Sequence, residues 1–321
     1  MMSSCFKSLL PAAVFLALGV TGCAGEIGSA DMSLEDVFAV SAIVEHEDTP
    51  PDELARYARH AHYGIREMVA GNPNTPGGSL SRLATDPYRD VRKAVAANSN
   101  TPARALTRMA EVDEEESDVL SAVAANSNTP ARALTRMAEV DEEESDVLSA
   151  VAANSNTPAE TLSRLSRHAD VGMRRRVAAN SNTSAEILTR MAEVDEEDLD
   201  VLLALARNSN TPAQILALMG DTHSTFPGEL FEPVAANSNT PAETLSQMSY
   251  LFDAGMRRRV AENPNTGVQT LTRLAEDDAG RVREAVAKNP NTPVQALTQL
   301  VDDYRSYVRQ AAKLAVEARD P

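Results

Sequence analysis

The chain has 321 residues, with 47 acidic side chains against 30 basic and a formal net charge of −17, which sets it against polyanions such as DNA or RNA as partners. Aromatic residues make up only 4% and tryptophan is absent, so an aromatic-anchored enzyme core is excluded and small aliphatic contacts must fill the interior. Both cysteines, Cys5 and Cys23, lie near the N-terminus, so the body of the chain holds no thiol nucleophile and no cysteine-rich zinc or iron–sulfur site.

In chain order the first segment is a leader. Lys7 precedes an apolar run from Leu9 to Val20, shorter than the ~20 residues of a spanning helix but of the length of a secretory core region. Residues 1–22 are therefore expected to be a signal peptide. Val20-Thr21-Gly22-Cys23 resembles a bacterial lipobox, which implies that Cys23 accepts a lipid and becomes the mature N-terminus. Ala24 resembles a signal for onward sorting to an outer membrane, where the host has one. Loss of Lys7 with the leader takes the mature chain to −17 − 1 = −18. The expected location is the cell envelope, with an acidic body tethered to a membrane through residues 23–30.

Beyond this linker the string N-x-N-T recurs, its first asparagine falling at Asn72, Asn98, Asn126, Asn154, Asn180, Asn208, Asn237, Asn263 and Asn289. The intervals are 26, 28, 28, 26, 28, 29, 26 and 26 residues, a period that signals a solenoid. The block from Asn98 to Ala125 recurs residue for residue from Asn126 to Ala153, as a tandem duplication would leave it. One period before Asn72, His46-Glu47-Asp48-Thr49-Pro50 and then Leu54 fit the frame without its asparagines, so residues 31–64 are read as a degenerate N-terminal cap. At the other end Ala315 replaces the asparagine, and residues 301–321 are read as a closing cap helix.

Each period predicts two helices. The threonine three places after the anchor asparagine, Thr75 through Thr292, is expected to cap the first helix with its side-chain oxygen. Proline follows in seven of nine copies and is read as the first helical residue, where no N–H donor is required. Leu80 and Leu83, three apart, and their equivalents give that helix one apolar face. The second helix carries pairs such as Val91 and Val95 or Val282 and Val286, with a small Ala96-type residue for close packing. It ends at the anchor asparagine, which tolerates the left-handed conformation of many helix ends.

The run Val282-Arg283-Glu284-Ala285-Val286-Ala287-Lys288-Asn289-Pro290-Asn291-Thr292-Pro293 resembles the pattern of the leucine-rich repeat variant family. The resemblance covers residues 65–300 and implies an all-α, HEAT-like fold, a right-handed α-solenoid of about ten paired short helices without strands. Some relatives carry a cysteine cluster with iron and sulfur, which this chain has no cysteines to supply.

Against that frame, four features are candidates for function. The asparagine pairs fit a structural role in turns and also a polar ligand-binding ridge. Met109, Met137, Met191, Met219 and Met248 stand at a leucine position and are read as core. Acidic runs from Glu111 to Asp118, Glu139 to Asp146 and Glu193 to Asp200 each hold six carboxylates. They are read either as a solvated ridge neutralised by Arg167, His168 and Arg174-Arg175-Arg176, or as a surface for a basic protein segment. Glu114, Glu115, Glu116, Glu142, Glu143 and Glu144 are the candidates in the second reading; the spaced ligand frame of a calcium loop is missing. Phe226, Phe231, Tyr250 and Phe252 arrive together after an aromatic-free stretch, in a repeat disturbed by Pro227-Gly228 and Pro233. They are read as gap fillers or as interface anchors. No H-x-x-x-H pair or G-x-S-x-G elbow occurs. The expected function is a membrane-anchored scaffold for a protein partner, without enzyme activity or cofactor; the alternative is a repeat lyase or chaperone-like accessory acting on a bound chain.

Overall fold

The computed structural model describes residues 40–111, 116–139, 145–194, 198–221, 227–251 and 253–319. The leader, Cys23, Glu114, Glu115, Glu142, Glu143, Glu144, Phe226 and Phe252 lie outside the described residues. Every regular element among the described residues is helical, which makes the chain an all-α solenoid. It divides into two compact units, one ending at Asn156 and the other starting at Thr157.

In the N-terminal unit the first helices are Pro51–Tyr57, Gly77–Leu83, Ala103–Ala110 and Ala131–Met137. The second helices are Tyr63–Gly71, Arg89–Ala97, Ser117–Ala125 and Ser145–Ala153. Second helices stack on second helices and first on first, so the unit has two layers with the core between them. Leu80 and Leu83 from one layer meet Val91 and Val95 from the other, and all four are buried. Ala96 and Ala124 have no exposed surface, the close approach expected of a small residue between stacked helices.

The C-terminal unit repeats the scheme with first helices such as Ala159–Leu165, Ala185–Val194 and Val268–Leu274. Its second helices include Val171–Ala179, Leu199–Arg207, Ala254–Glu262, Gly280–Lys288 and the longer Ser306–Glu317. Met191, Met219 and Met248 are buried here, as Met109 and Met137 are in the other unit, so the methionines are core. The regular second helices are nine-residue α-helices rather than 3₁₀ turns.

Three local readings need correction. The threonine does not cap the first helix, whose N-cap is the following proline without a side-chain bond in the copies with Pro102 or Pro130. Its hydroxyl instead donates backwards, Thr101 Oγ1 to Val95 O at 2.5 Å and Thr183 Oγ1 to Val177 O at 2.5 Å. A carbonyl of the preceding helix's last turn lacks an intrahelical partner, so the threonine closes a helix end rather than opening one. The proline precedes the first helical residue rather than occupying it, in extended conformation with φ −64° and ψ 141° at Pro102. The anchor asparagine is also extended, with φ −74° and ψ 123° at Asn98, and not left-handed.

That extended asparagine is the main polar link between repeats. Asn98 Nδ2 donates to Ala70 O at 2.7 Å and Asn72 O at 2.9 Å, and Asn126 does the same to Ala96 and Asn98. Asn98 Oδ1 accepts from the backbone N–H of Asn100 at 2.8 Å, which folds the turn. Asn263 and Asn289 repeat the pattern in the C-terminal unit. At the last repeat Ala315 offers no amide, and Arg319 supplies donors to Asn289 O, Pro290 O and Thr292 O. The carbonyls that a further repeat would have satisfied are thus closed from within the chain.

The disturbed repeat has a local explanation. Its second helix begins as a 3₁₀ turn, Gly228–Leu230, and becomes α only over Phe231–Ala236. Pro233 then falls in the first turn of the α segment, where a missing N–H is tolerated. Gly220 sits where a Cβ would come within 2.6 Å of Thr244 Cγ2 and 3.1 Å of Leu216 O, so this repeat packs closer than a side chain would allow.

Candidate interaction surfaces

The asparagine pairs are consumed by the fold. The anchor asparagines are buried in all nine copies, and the exposed second members still donate across the stack, as Asn156 Nδ2 does to Ser127 O at 2.7 Å. A ligand-binding ridge would need these groups free, so that reading falls.

Six residues before each anchor lies a feature that composition did not reveal. This position is arginine at Arg66, Arg92, Arg174, Arg257, Arg283 and Arg309, and aliphatic or aromatic at Leu120, Leu148, Leu202 and Phe231. Each arginine turns back on the connection between its two helices: Arg92 donates to Asp86 O at 2.9 Å, Arg174 to Ala169 O at 2.8 Å and Arg309 to Asp303 O at 2.7 Å. Four also reach a carboxylate in the next repeat, Arg66 to Asp86 and Arg257 to Asp277 at 2.6 Å, Arg283 to Asp303 at 2.5 Å and Arg174 to Asp198 at 2.9 Å. A planar guanidinium with five donors can serve two carbonyls and both oxygens of a carboxylate at once, as Arg66 does, which exceeds the three donors of a lysine. Hydrogen bonding to Arg283 holds Asp303 below the usual carboxylate range despite its burial, and the same contact raises Arg283. The arginine occurs only in 26-residue repeats, and the buried Leu120, Leu148 and Leu202 replace it in 28-residue repeats with acidic runs.

The exposed side of the second-helix layer carries shallow, charged grooves. In the N-terminal unit a groove of about 610 Å³ is lined by Arg89, Lys93, Glu116, Asp118 and small side chains such as Ser121 and Ala122. Arg89 bridges to Glu116 and to Asp118 at 2.5 Å, and Lys93 reaches Asp118 at 2.9 Å. The hydrogen bond from Arg89 takes Asp118 down to about 2, against the opposing effect of burial. Glu116, a candidate for a basic partner, is therefore already committed to a cation of its own chain. In the C-terminal unit a groove of about 340 Å³ lies among Arg175, Arg176, Asp200 and Arg207, and one of about 270 Å³ among Arg258, Glu262, Arg281, Glu284 and Lys288.

The described aromatic candidates separate. Phe231 is half-buried and stands at the register position of Leu120 and Leu202. Tyr250 is 70% exposed, with the Arg273 guanidinium 3.9 Å above its ring centroid. A second aromatic surface lies in the N-terminal unit, where His62, Tyr63 and Tyr88 stack at 5.3 and 4.6 Å and Arg66 lies over Tyr88. Its sequence signal was a tyrosine near the same turn in consecutive repeats, Tyr63 and Tyr88. Among the described residues no group of histidine and carboxylate side chains could hold a metal ion, and His60 is buried, its basicity lowered chiefly by desolvation.

Three stretches, residues 63–87, 89–115 and 280–303, match the model of the leucine rich repeat variant. These are leucine-rich repeat variant repeats. The matched stretches and the unmatched ones between them share the asparagine ladder and the threonine closure. No curated protein matches the chain. Among solved structures it is similar to a leucine-rich repeat variant described as having a novel repetitive structural motif, at 18% identity over 98% of this chain and 97% of that one, with a TM-score of 0.39. Human deoxyhypusine hydroxylase in complex with glycerol is similar at 16% identity over 88% and 95%, with a TM-score of 0.29. The Pds5–Scc1 complex is similar at 15% identity over 90% and 62%, with a TM-score of 0.25. None of these likenesses is close enough to carry a function to this repeat chain.

Proposed function

We propose that this chain is a membrane-anchored, extracytoplasmic scaffold that binds a protein partner on its second-helix layer. The observation that supports this most is where the polar groups go. Inside the stack, leucine, valine, alanine and the asparagine and threonine bonds account for the repeat, so recognition is left to the surface. The second-helix side has grooves lined by mixed charges on short side chains and rigid helices, suited to a polypeptide rather than to a small molecule that needs enclosure. Arginine, enriched where protein interfaces hold their energy, stands there at Arg175, Arg176 and Arg207. The anchor is the lipid on Cys23, supported by the lipobox-like residues before it.

Two measurements test the two halves. Metabolic lipid labelling should mark the chain and vanish in Cys23→Ala, which should accumulate as unprocessed precursor; unchanged processing and membrane retention would end the anchored reading. Photo-cross-linkers placed at Ser121 and Leu203, on the second-helix side, should trap one partner that cross-linkers at Thr107 and Thr189, on first helices, do not. Equal trapping from both layers would remove the assignment to the second-helix side.

A further inference from the structure

The two layers of the N-terminal unit differ in charge as well as in packing. Among its described residues, ion pairs between repeats are made by cations of second helices: Arg66 with Asp86, Arg89 with Glu116 and Asp118, and Lys93 with Asp118. The first-helix layer exposes Arg56, Arg59, Arg82, Arg104, Arg108 and Arg132, and among the described residues none of them is ion-paired to a carboxylate. Helices Gly77–Leu83, Ala103–Ala110 and Ala131–Met137 contain no acidic residue. A chain of net charge −17 thus keeps three successive first helices of one unit free of carboxylates, while the one before them, Pro51–Tyr57, carries Asp52 and Glu53 beside Arg56.

The register of these arginines is regular. Arg56, Arg82 and Arg108 occupy the same place in successive repeats, 26 residues apart, so stacking sets them in a row at the helix spacing of roughly 8–10 Å. Arg104 and Arg132 form a second row one helical turn away. Between them the exposed side chains are small, such as Gly78, Ala103 and Ala131, and this layer of the unit shows no exposed large apolar group. The side chains are already crowded by their own sign: Arg82 is lowered by partial burial and by the nearby Arg59 charge.

We propose that this face docks on an anionic phospholipid surface, with the guanidinium rows pairing with headgroup phosphates. A peptide gains specificity from apolar anchors, and among the described residues this face exposes no large apolar side chain; a plane of phosphates asks only for spaced, extended cations with nothing bulky between them. Proximity favours the same ligand. From Ala24 to the first described residue there are sixteen residues, which span at most about 55 Å, so a lipid-anchored chain holds this unit within reach of its membrane. Each cation near such a surface adds modestly, and several held on a rigid layer next to a tether act together. The proposal rests on the anchored reading for its source of lipid. Within this unit the second-helix layer is then left to a partner.

The test uses the chain from Ala24 onward with Cys23 removed, so that binding owes nothing to the anchor. Vesicles with about 30% phosphatidylglycerol in phosphatidylcholine should sediment it, and pure phosphatidylcholine vesicles should not. The variant Arg82→Gln, Arg104→Gln, Arg108→Gln, Arg132→Gln should bind at least about tenfold more weakly while keeping its helical circular dichroism and unfolding midpoint. A control with the same charge loss elsewhere, Arg175→Gln, Arg176→Gln, Arg207→Gln, Arg281→Gln, should bind within about twofold of the parent. Equal loss in both variants would reduce the effect to net charge and overturn the proposal. Failure to bind the vesicles also overturns it, and if polyglutamate is then bound through the same arginines the face belongs to an acidic protein. Neither failure touches the lipid labelling of Cys23.

Discussion

Repeats with a 26-residue period and repeats with a 28-residue period fill the same position, six before the anchor asparagine, in opposite ways. In the short repeats Arg283 is buried with its guanidinium on Asp303 and on the carbonyls of its own inter-helix turn. In the long ones Leu202 is buried at the same place with no polar obligation. A buried ion pair gains little over a well-packed hydrophobe, so both solutions are compatible with one stack. What differs is the consequence of breaking them. The arginine holds its own inter-helix turn and in four copies reaches the next repeat, whereas the leucine leaves its connection free to carry six carboxylates.

The sharpest way to break this comparison is to exchange the solutions in one direction. Leu202→Arg buries an unpaired charge and removes an aliphatic contact, so a loss of about 4–5 kcal/mol is expected in urea unfolding. A loss under about 1 kcal/mol would show that the long repeats accept the arginine and that the position is not discriminating. The reverse exchange, Arg283→Leu, strands Asp303 and should cost about 3–5 kcal/mol, with Asp303→Asn recovering a measurable part when added. If the double variant is no better than the single one, the pair is not the reason for the arginine.

Acid should separate the two classes next. Asp303 in the folded chain lies below its ordinary value, so its contribution is present above about pH 4 and is lost as pH falls through the lower folded value. Asp118 moves from 3.8 to about 2 in the same sense, through Arg89 and Lys93. Unfolding midpoints should fall from pH 4 towards pH 2 in the parent, and Arg283→Leu should flatten part of that slope. An identical slope in the variant would remove the clamp from the acid response. A smaller effect is expected at the C-terminal end, where Arg319→Ala exposes three carbonyls and should raise amide exchange in the last repeat before any global change. Phe231→Leu should change stability by less than about 1 kcal/mol, since leucine holds that position in three other repeats. A larger loss would make the ring a packing element specific to the disturbed repeat.

Much of this was legible from the sequence because a repeat is a local message written many times. The period located every anchor asparagine, the spacing of Leu80 and Leu83 gave the buried face, and the methionines at leucine positions were core. Backbone detail was less legible. Thr101 carries the same composition signal whether it caps the helix that follows or closes the one before, and only the distance from its hydroxyl to Val95 O decides. Among the candidate site residues, Glu116 turned out paired to Arg89 and Phe231 half-buried, while Tyr250 remains exposed. The basic first-helix face went unread because its arginines lie 26 residues apart, scattered along the chain among acidic runs.

The sequence by itself determined the helical class, the repeat boundaries and the aliphatic core, since periodicity of apolar side chains and turn chemistry act over a few residues. It also carried the lipobox-like residues on which the proposed anchor rests. Only the tertiary structure decided which polar groups are spent and which are available. That asparagines bond to the previous repeat, that Arg283 meets Asp303 twenty residues on, and that Arg82 and Arg108 share a face are facts of stacking. Stacking brings together residues one period apart, and charge acts through space rather than along the chain.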